Sequence, residues 1–154
     1  MFDTINGLPV HPLVVHAIVV LLPLTILGTI AIAFRPAWRR QYGPLVLAAA
    51  VVATALIPVA TKSGAKLETH VGVQAEHARL GHELIWFALP LLVLCAALVW
   101  LDRRGTAGPT ALRVIAGLAV VSAIAAGVQV YRVGDSGARA AWGALVKNHV
   151  SATG

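Results

Sequence analysis

The chain has 154 residues, 58% of them hydrophobic and 12% charged, with a mean hydropathy of +0.83. A soluble domain carries about 25% charged residues, so this composition excludes a disordered chain, a collagen-like chain and an ordinary soluble globule. The single cysteine, Cys95, excludes a disulfide framework and a cysteine-built zinc site. The net charge of +6 sits in short basic clusters between apolar runs, the pattern of membrane topology signals and not of a nucleic-acid-binding surface.

The first uncharged run holds 31 residues between Asp3 and Arg35, and the second holds 21 between Arg40 and Lys62. Two further runs of 18 lie between Glu83 and Asp102 and between Arg113 and Arg132. At 1.5 Å per residue each can cross a hydrocarbon core of about 30 Å. The runs predict helices near 10–34, 43–62, 77–101 and 110–132, in one integral membrane domain over residues 1–154. Pro12, Pro44 and Pro109 stand where a helix can start without its N–H, whereas Pro23, Pro58 and Pro90 fall inside runs and predict kinks. Ala119, Ala123 and Gly127 on the fourth helix, and Ala49 and Ala53 on the second, form stripes of small residues that permit close helix packing. Residues 136–150 place Ala138, Ala141, Trp142 and Leu145 at helical spacing and predict a short helix lying in the interface. The start of the chain lacks a basic n-region, so the first run is expected to be a permanent helix and not a cleaved signal.

Four alternating spans sort the polar residues onto two membrane faces. Face A receives all six histidines (His11, His16, His70, His77, His82 and His149) with Asp3, Glu68, Glu76, Glu83 and Asp135. Face B receives Arg35, Arg39, Arg40, Arg103, Arg104 and Arg113 against Asp102 alone. The basic residues divide equally between the faces, but the face B loops are short and dense in arginine, which places face B inside and both termini exoplasmic. Trp38 and Trp100 flank face B, and Trp86 and Trp142 flank face A, where indole favours the headgroup layer.

The hairpin is written twice. His11-x4-His16 recurs as His77-x4-His82, Pro23 as Pro90, Arg39-Arg40 as Arg103-Arg104, and Lys62-Ser63-Gly64-Ala65-Lys66 as Asp135-Ser136-Gly137-Ala138-Arg139. The expected fold is therefore an all-α, transmembrane four-helix up-down bundle made of a duplicated hairpin, with helices one and three diagonal to each other. Glycine just past an apolar run suits a helix C-cap or tight turn, so each Ser-Gly-Ala motif predicts chain reversal at the surface. A ligand-holding role for the serine or the backbone amides is the other reading.

The histidines carry the candidate chemistry. Residues i and i+5 lie about 140° apart on a helix, so neither His11/His16 nor His77/His82 is a chelating pair on one face. His16 and His82 are expected about one turn below face A, where an ionisable group usually faces the bundle interior. One reading is a b-type haem held by His16 and His82 as axial ligands. His11 and His77 would lie nearby, Gly81 would allow the porphyrin to approach, and Arg79, Arg132, Lys62 or Lys66 would neutralise the propionates. Such a site passes electrons. A second reading is a divalent-metal site using His16 and His82 with His11, His70, His77, Glu76 or Glu83. A third is a proton or solute pathway. A fourth is a set of interfacial histidines in a cofactor-free accessory subunit of a membrane complex. No hydrolytic nucleophile motif, covalent haem motif or phosphate loop is present. The expected surroundings are a lipid bilayer, with a redox membrane complex or a second copy of the chain as partner and no nucleic acid.

The opening Gly7-Leu8-Pro9-Val10-His11-Pro12-Leu13-Val14-Val15-His16 resembles a family of bacterial integral membrane proteins, the domain of unknown function 2231. The stretch Tyr131-Arg132-Val133-Gly134-Asp135-Ser136-Gly137-Ala138-Arg139-Ala140-Ala141-Trp142-Gly143 fits the same family, and the resemblance covers essentially the whole chain. It implies a small multi-helix domain of the bacterial plasma membrane without an assigned activity. The family's histidine pattern resembles that of two-haem membrane cytochromes, and some relatives are associated with redox modules. Some members carry histidine where this chain has Asp135, so no ligand role is carried over to that position.

Overall fold

The computed structural model describes the backbone of residues 4–5, 8–71 and 75–152, and the side chains of residues 13–64 and 76–139. A two-residue antiparallel pair, β1 (Thr4–Ile5) with β2 (Leu8–Pro9), precedes four helices: α1 (Val10–Phe34), α2 (Pro36–Val71), α3 (Ala75–Arg104) and α4 (Pro109–Ala152). Each helix packs against the next, and α4 closes back on α1, while α1 and α3 stand across the diagonal. All four are long and apolar enough to span a membrane, over Leu13–Phe34, Pro36–Gly64, Glu76–Arg104 and Pro109–Arg139.

Outward-facing Leu24, Leu27, Leu45, Val93 and Val121 are exposed, as a lipid-facing surface requires. Inward, Ile18, Leu22, Ile26, Ile57, Leu84, Leu91, Ala53, Ala123 and Ala126 form one cluster, and Ile32, Cys95, Leu98 and Val99 form a second toward face B. Lipid tails are as apolar as leucine, so association of such helices depends on close packing and not on water exclusion. Small residues supply the close packing. A methyl group on Gly28 would stand 2.9 Å from Val46 Cγ2, and one on Gly43 would stand 3.0 Å from Val99 Cγ2. Gly28→Ala is therefore expected to destabilise the bundle by about 1–3 kcal/mol through overpacking, with Val46→Ala restoring most of the loss, read by thermal unfolding in detergent.

Several expected boundaries shift. The α2 helix begins at Pro36 and not near residue 43, so only Arg35 separates it from α1. Proline is well placed as a first helical residue, and the Ile32 carbonyl, left without an i+4 amide by Pro36, accepts from Arg39 Nε at 3.1 Å. Pro44 lies inside α2, and the Arg40 carbonyl that it frees accepts from Arg103 Nη2 at 3.2 Å. Buried or paired guanidinium groups thus satisfy the backbone that proline leaves open. The α3–α4 connection follows the expected punctuation: Gly105 takes φ +63° as a left-handed C-cap, and α4 opens on Pro109.

The Ser-Gly-Ala motifs do not reverse the chain. Ser63-Gly64 lies within α2 and Ser136-Gly137 within α4, which runs on unbroken to Ala152 in place of a separate interfacial helix over 136–150. Both serine hydroxyls turn back onto their own helix, Ser63 Oγ to the Ala60 carbonyl at 3.1 Å and Ser136 Oγ to the Val133 carbonyl at 2.9 Å. The small-residue stripe of α4 runs through Ala119, Ala123 and Ala126, each fully buried, whereas a Cβ on Gly127 would meet nothing.

Candidate functional site at the face A end of the bundle

Helical register decides which histidines can act together. On α3 the buried residues Leu80, Leu84, Leu91 and Leu98 mark the inward stripe. His77 stands seven residues before Leu84, two turns along the same stripe, and His82 falls on the opposite side. The structure accordingly half-buries His77 and leaves His82 exposed. On α1 the stripe runs through Ile18, Leu22, Thr25 and Thr29, and His16 lies away from it and is exposed.

The expectation that His16 and His82 face the interior is corrected here. They sit on the outer sides of two helices that oppose each other across the diagonal, and one bundle does not bring them together. Their depth explains this. A hydrocarbon core of about 30 Å takes about 20 residues, and counting back from Asp102 on α3 or from Arg35 on α1 ends at the level of these histidines. They stand at the edge of the slab, where an ionisable ring can be placed outward without entering the hydrocarbon.

His77 has a defined partner on α4. Its Nδ1 lies 3.1 Å from Ser136 Oγ. The Ser136 hydroxyl also donates to the Val133 carbonyl at 2.9 Å on its own helix. Together the two bonds fix the orientation of the His77 ring against α4. The close approach depends on Gly137, because a Cβ there would stand 3.0 Å from His77 Cε1. Ser136 is itself buried.

Beside this pair, α3 and α4 enclose a cleft of about 240 Å³ lined by Glu76, Leu80, Tyr131, Arg132, Asp135, Ser136 and Arg139. Two of its lining residues are joined through Gln129, a buried side chain whose Nε2 donates to the Leu80 carbonyl at 3.1 Å and whose Oε1 accepts from Arg132 Nη1 at 3.3 Å. At the rim Arg139 pairs with Asp135 at 2.9 Å. Arg132 thus lines the cleft. Arg79 does not: it pairs with Glu83 at 2.8 Å on the exposed side of α3. Gly81 faces open space, and the glycine that admits a close neighbour is Gly137. Sequence reasoning passed over Gln129, whose signal was a lone amide inside the apolar run of α4.

Among the described residues no three His, Cys, Asp or Glu side chains converge as a metal-binding group. The side chains of His11, His70 and His149 lie outside the described residues. Toward the bundle middle, Leu22, Ile57, Leu91 and Leu98 are fully buried and fill the space between the helices.

Residues 7–149 match the family described as predicted membrane protein (DUF2231). The chain belongs to this family. With four spans on the page, it is a multi-pass membrane protein of the DUF2231 family in contact with a lipid bilayer. No curated protein and no solved structure matches the chain.

Proposed function

We propose that the protein is a b-type haem-binding electron-transfer subunit of the bacterial plasma membrane, in which His77 at face A would help hold the haem iron. The observation that supports this is the orientation of His77 by Ser136. Imidazoles that bind a metal through one ring nitrogen characteristically give the other N–H to a fixed acceptor, which sets the tautomer and the ring plane. His77 has a contact of that kind in place through Nδ1. The residues named from sequence thus fit the group in part. Arg132 lines the cleft and His77 bonds to Ser136 at its wall, whereas His16 and His82 lie exposed on α1 and α3.

When bound, haem b would supply one-electron exchange between ferric and ferrous iron. Each protein residue has a separate task. Ser136 holds the His77 ring, Gly137 leaves it room against α4, and Arg132 at the cleft offers charge to a propionate. The arginine-dense face B supports an orientation with face A and both termini exoplasmic, so the electron partner would be an exoplasmic or membrane-embedded redox protein.

The test is purification in mild detergent from cells supplied with haem, followed by a pyridine haemochrome assay. Haem b near one equivalent per chain is the expected result. A folded, colourless protein would remove the haem reading and leave a cofactor-free accessory subunit.

A further inference from the structure

One stripe of α4 changes character at Tyr131. At 3.6 residues per turn, Val121, Ile124 and Val128 share an arc of about 100° with Tyr131, Arg132, Asp135 and Arg139. The three aliphatic side chains are exposed, and so is Tyr131. The four polar residues line the cleft against α3. The uncharged run of 18 residues that follows Arg113 ends at Arg132, so the change falls where a hydrocarbon core of about 30 Å gives way to headgroups. Tyrosine is enriched at that level. The outer surface of α4 is thus an apolar track that leads, at its face A end, into a charged recess of about 240 Å³.

The recess is electrically balanced. Its lining holds two guanidinium groups, Arg132 and Arg139, and two carboxylates, Glu76 and Asp135. Arg139 and Asp135 bind each other at 2.9 Å, one turn apart on α4. Arg132 from α4 and Glu76 from α3 are then the opposite charges offered to a ligand. Arg132 gives Nη1 to Gln129 Oε1 at 3.3 Å, and a guanidinium carries further N–H donors in a fork that suits phosphate. A purely anionic ligand would lie against two carboxylates, and a purely cationic one against two guanidinium groups. A zwitterion satisfies both. We infer that the cleft binds the phosphoethanolamine headgroup of a membrane phospholipid. The phosphate meets Arg132, the ammonium meets Glu76, and an acyl chain lies along Val128, Ile124 and Val121. The inference goes beyond the haem reading and does not rest on it: Arg132 enters both, and Glu76 enters this one alone.

The test uses protein purified in mild detergent without added haem. It is mixed with phosphatidylethanolamine, phosphatidylcholine or phosphatidylglycerol of identical acyl chains, and bound lipid is counted by native mass spectrometry. Phosphatidylcholine keeps the zwitterion but has no ammonium N–H, and phosphatidylglycerol keeps the phosphate without a cation. Phosphatidylethanolamine is expected to bind about tenfold more tightly than either, the effect of one charge-assisted hydrogen bond. Glu76→Gln should bring it down to the level of phosphatidylcholine, and Arg132→Gln should weaken all three lipids. Glu76→Lys should turn the preference toward phosphatidylglycerol. Glu76 is exposed, so its variants are expected to fold, as circular dichroism will show, and either one alone gives the reading. Equal binding of the three lipids, or a preference for phosphatidylethanolamine unchanged in a folded Glu76 variant, would overturn the inference. Free phosphoethanolamine bound as tightly as the lipid would overturn the lipid assignment and give the site to a soluble zwitterion. A colourless protein that still selects phosphatidylethanolamine would refute the haem reading and leave this one standing.

Discussion

Asp102→Ala is expected to be among the most destabilising single changes in the bundle, by about 3–5 kcal/mol. Arg39 and Asp102 come from α2 and α3, 3.5 Å apart, with side chains only 6% and 8% exposed. Removing the carboxylate would leave Arg39 as a buried cation held, among the described residues, by the Ile32 carbonyl. The second Asp102 oxygen lies 3.8 Å from Arg40 Nε and has no hydrogen-bond partner among the described residues, so the aspartate is not fully satisfied even in the native bundle. Arg40, with a side chain 78% exposed, contributes little. Arg40→Ala should therefore cost less than about 1 kcal/mol. Thermal unfolding in detergent distinguishes these outcomes. The double change Arg39→Met with Asp102→Leu should recover much of the loss, since the penalty lies in the orphaned charge and not in the absence of the pair. Recovery will be incomplete because the Ile32 carbonyl loses its donor as well.

That ion pair also marks where sequence reasoning reached its end at face B. The concentration of arginines around Asp102 was legible, and it set the orientation argument. Their second task was not. A guanidinium that closes a carbonyl freed by proline is visible only when Arg39 is found beside Ile32, and Arg103, from α3, beside Arg40. The same blindness moved the start of α2. Pro44 read as a helix start because proline breaks a ladder, yet an arginine from another helix repairs the break. Span number, span order and the duplicated hairpin were legible because length without charge and repeated spacing are properties of the chain itself.

At face A the sequence suggested that His16 and His82 face the bundle interior, and the structure leaves both exposed. His16 and His82 were favoured because each lies deeper in an apolar run than its neighbour. Depth along a helix does not say which way a residue points. The inward stripe does, and it could have been drawn from the apolar pattern: Leu80, Leu84, Leu91 and Leu98 define it, and His77 extends it. The Ser-Gly-Ala motifs were read as turns because glycine followed an apolar run. Inside a helix the same glycine serves another end, since its missing side chain is the space occupied by the His77 ring.

The pair of variants His77→Ala and His82→Ala separates these readings with the largest expected contrast. His77 is half-buried and bonded to Ser136, and His82 is exposed at the edge of the slab. Truncating His77 removes one modest hydrogen bond, worth about 1 kcal/mol, so both variants should fold and insert. Only His77→Ala should lose the cofactor ligand. The decisive measurement is the dithionite-reduced minus oxidised absorption spectrum of the unmodified protein and both variants, matched for protein concentration. The account predicts a Soret band with sharp α and β bands in the unmodified protein and in His82→Ala, and their loss or conversion to a high-spin form in His77→Ala. Bands that persist unchanged in His77→Ala, or vanish in His82→Ala alone, would contradict it.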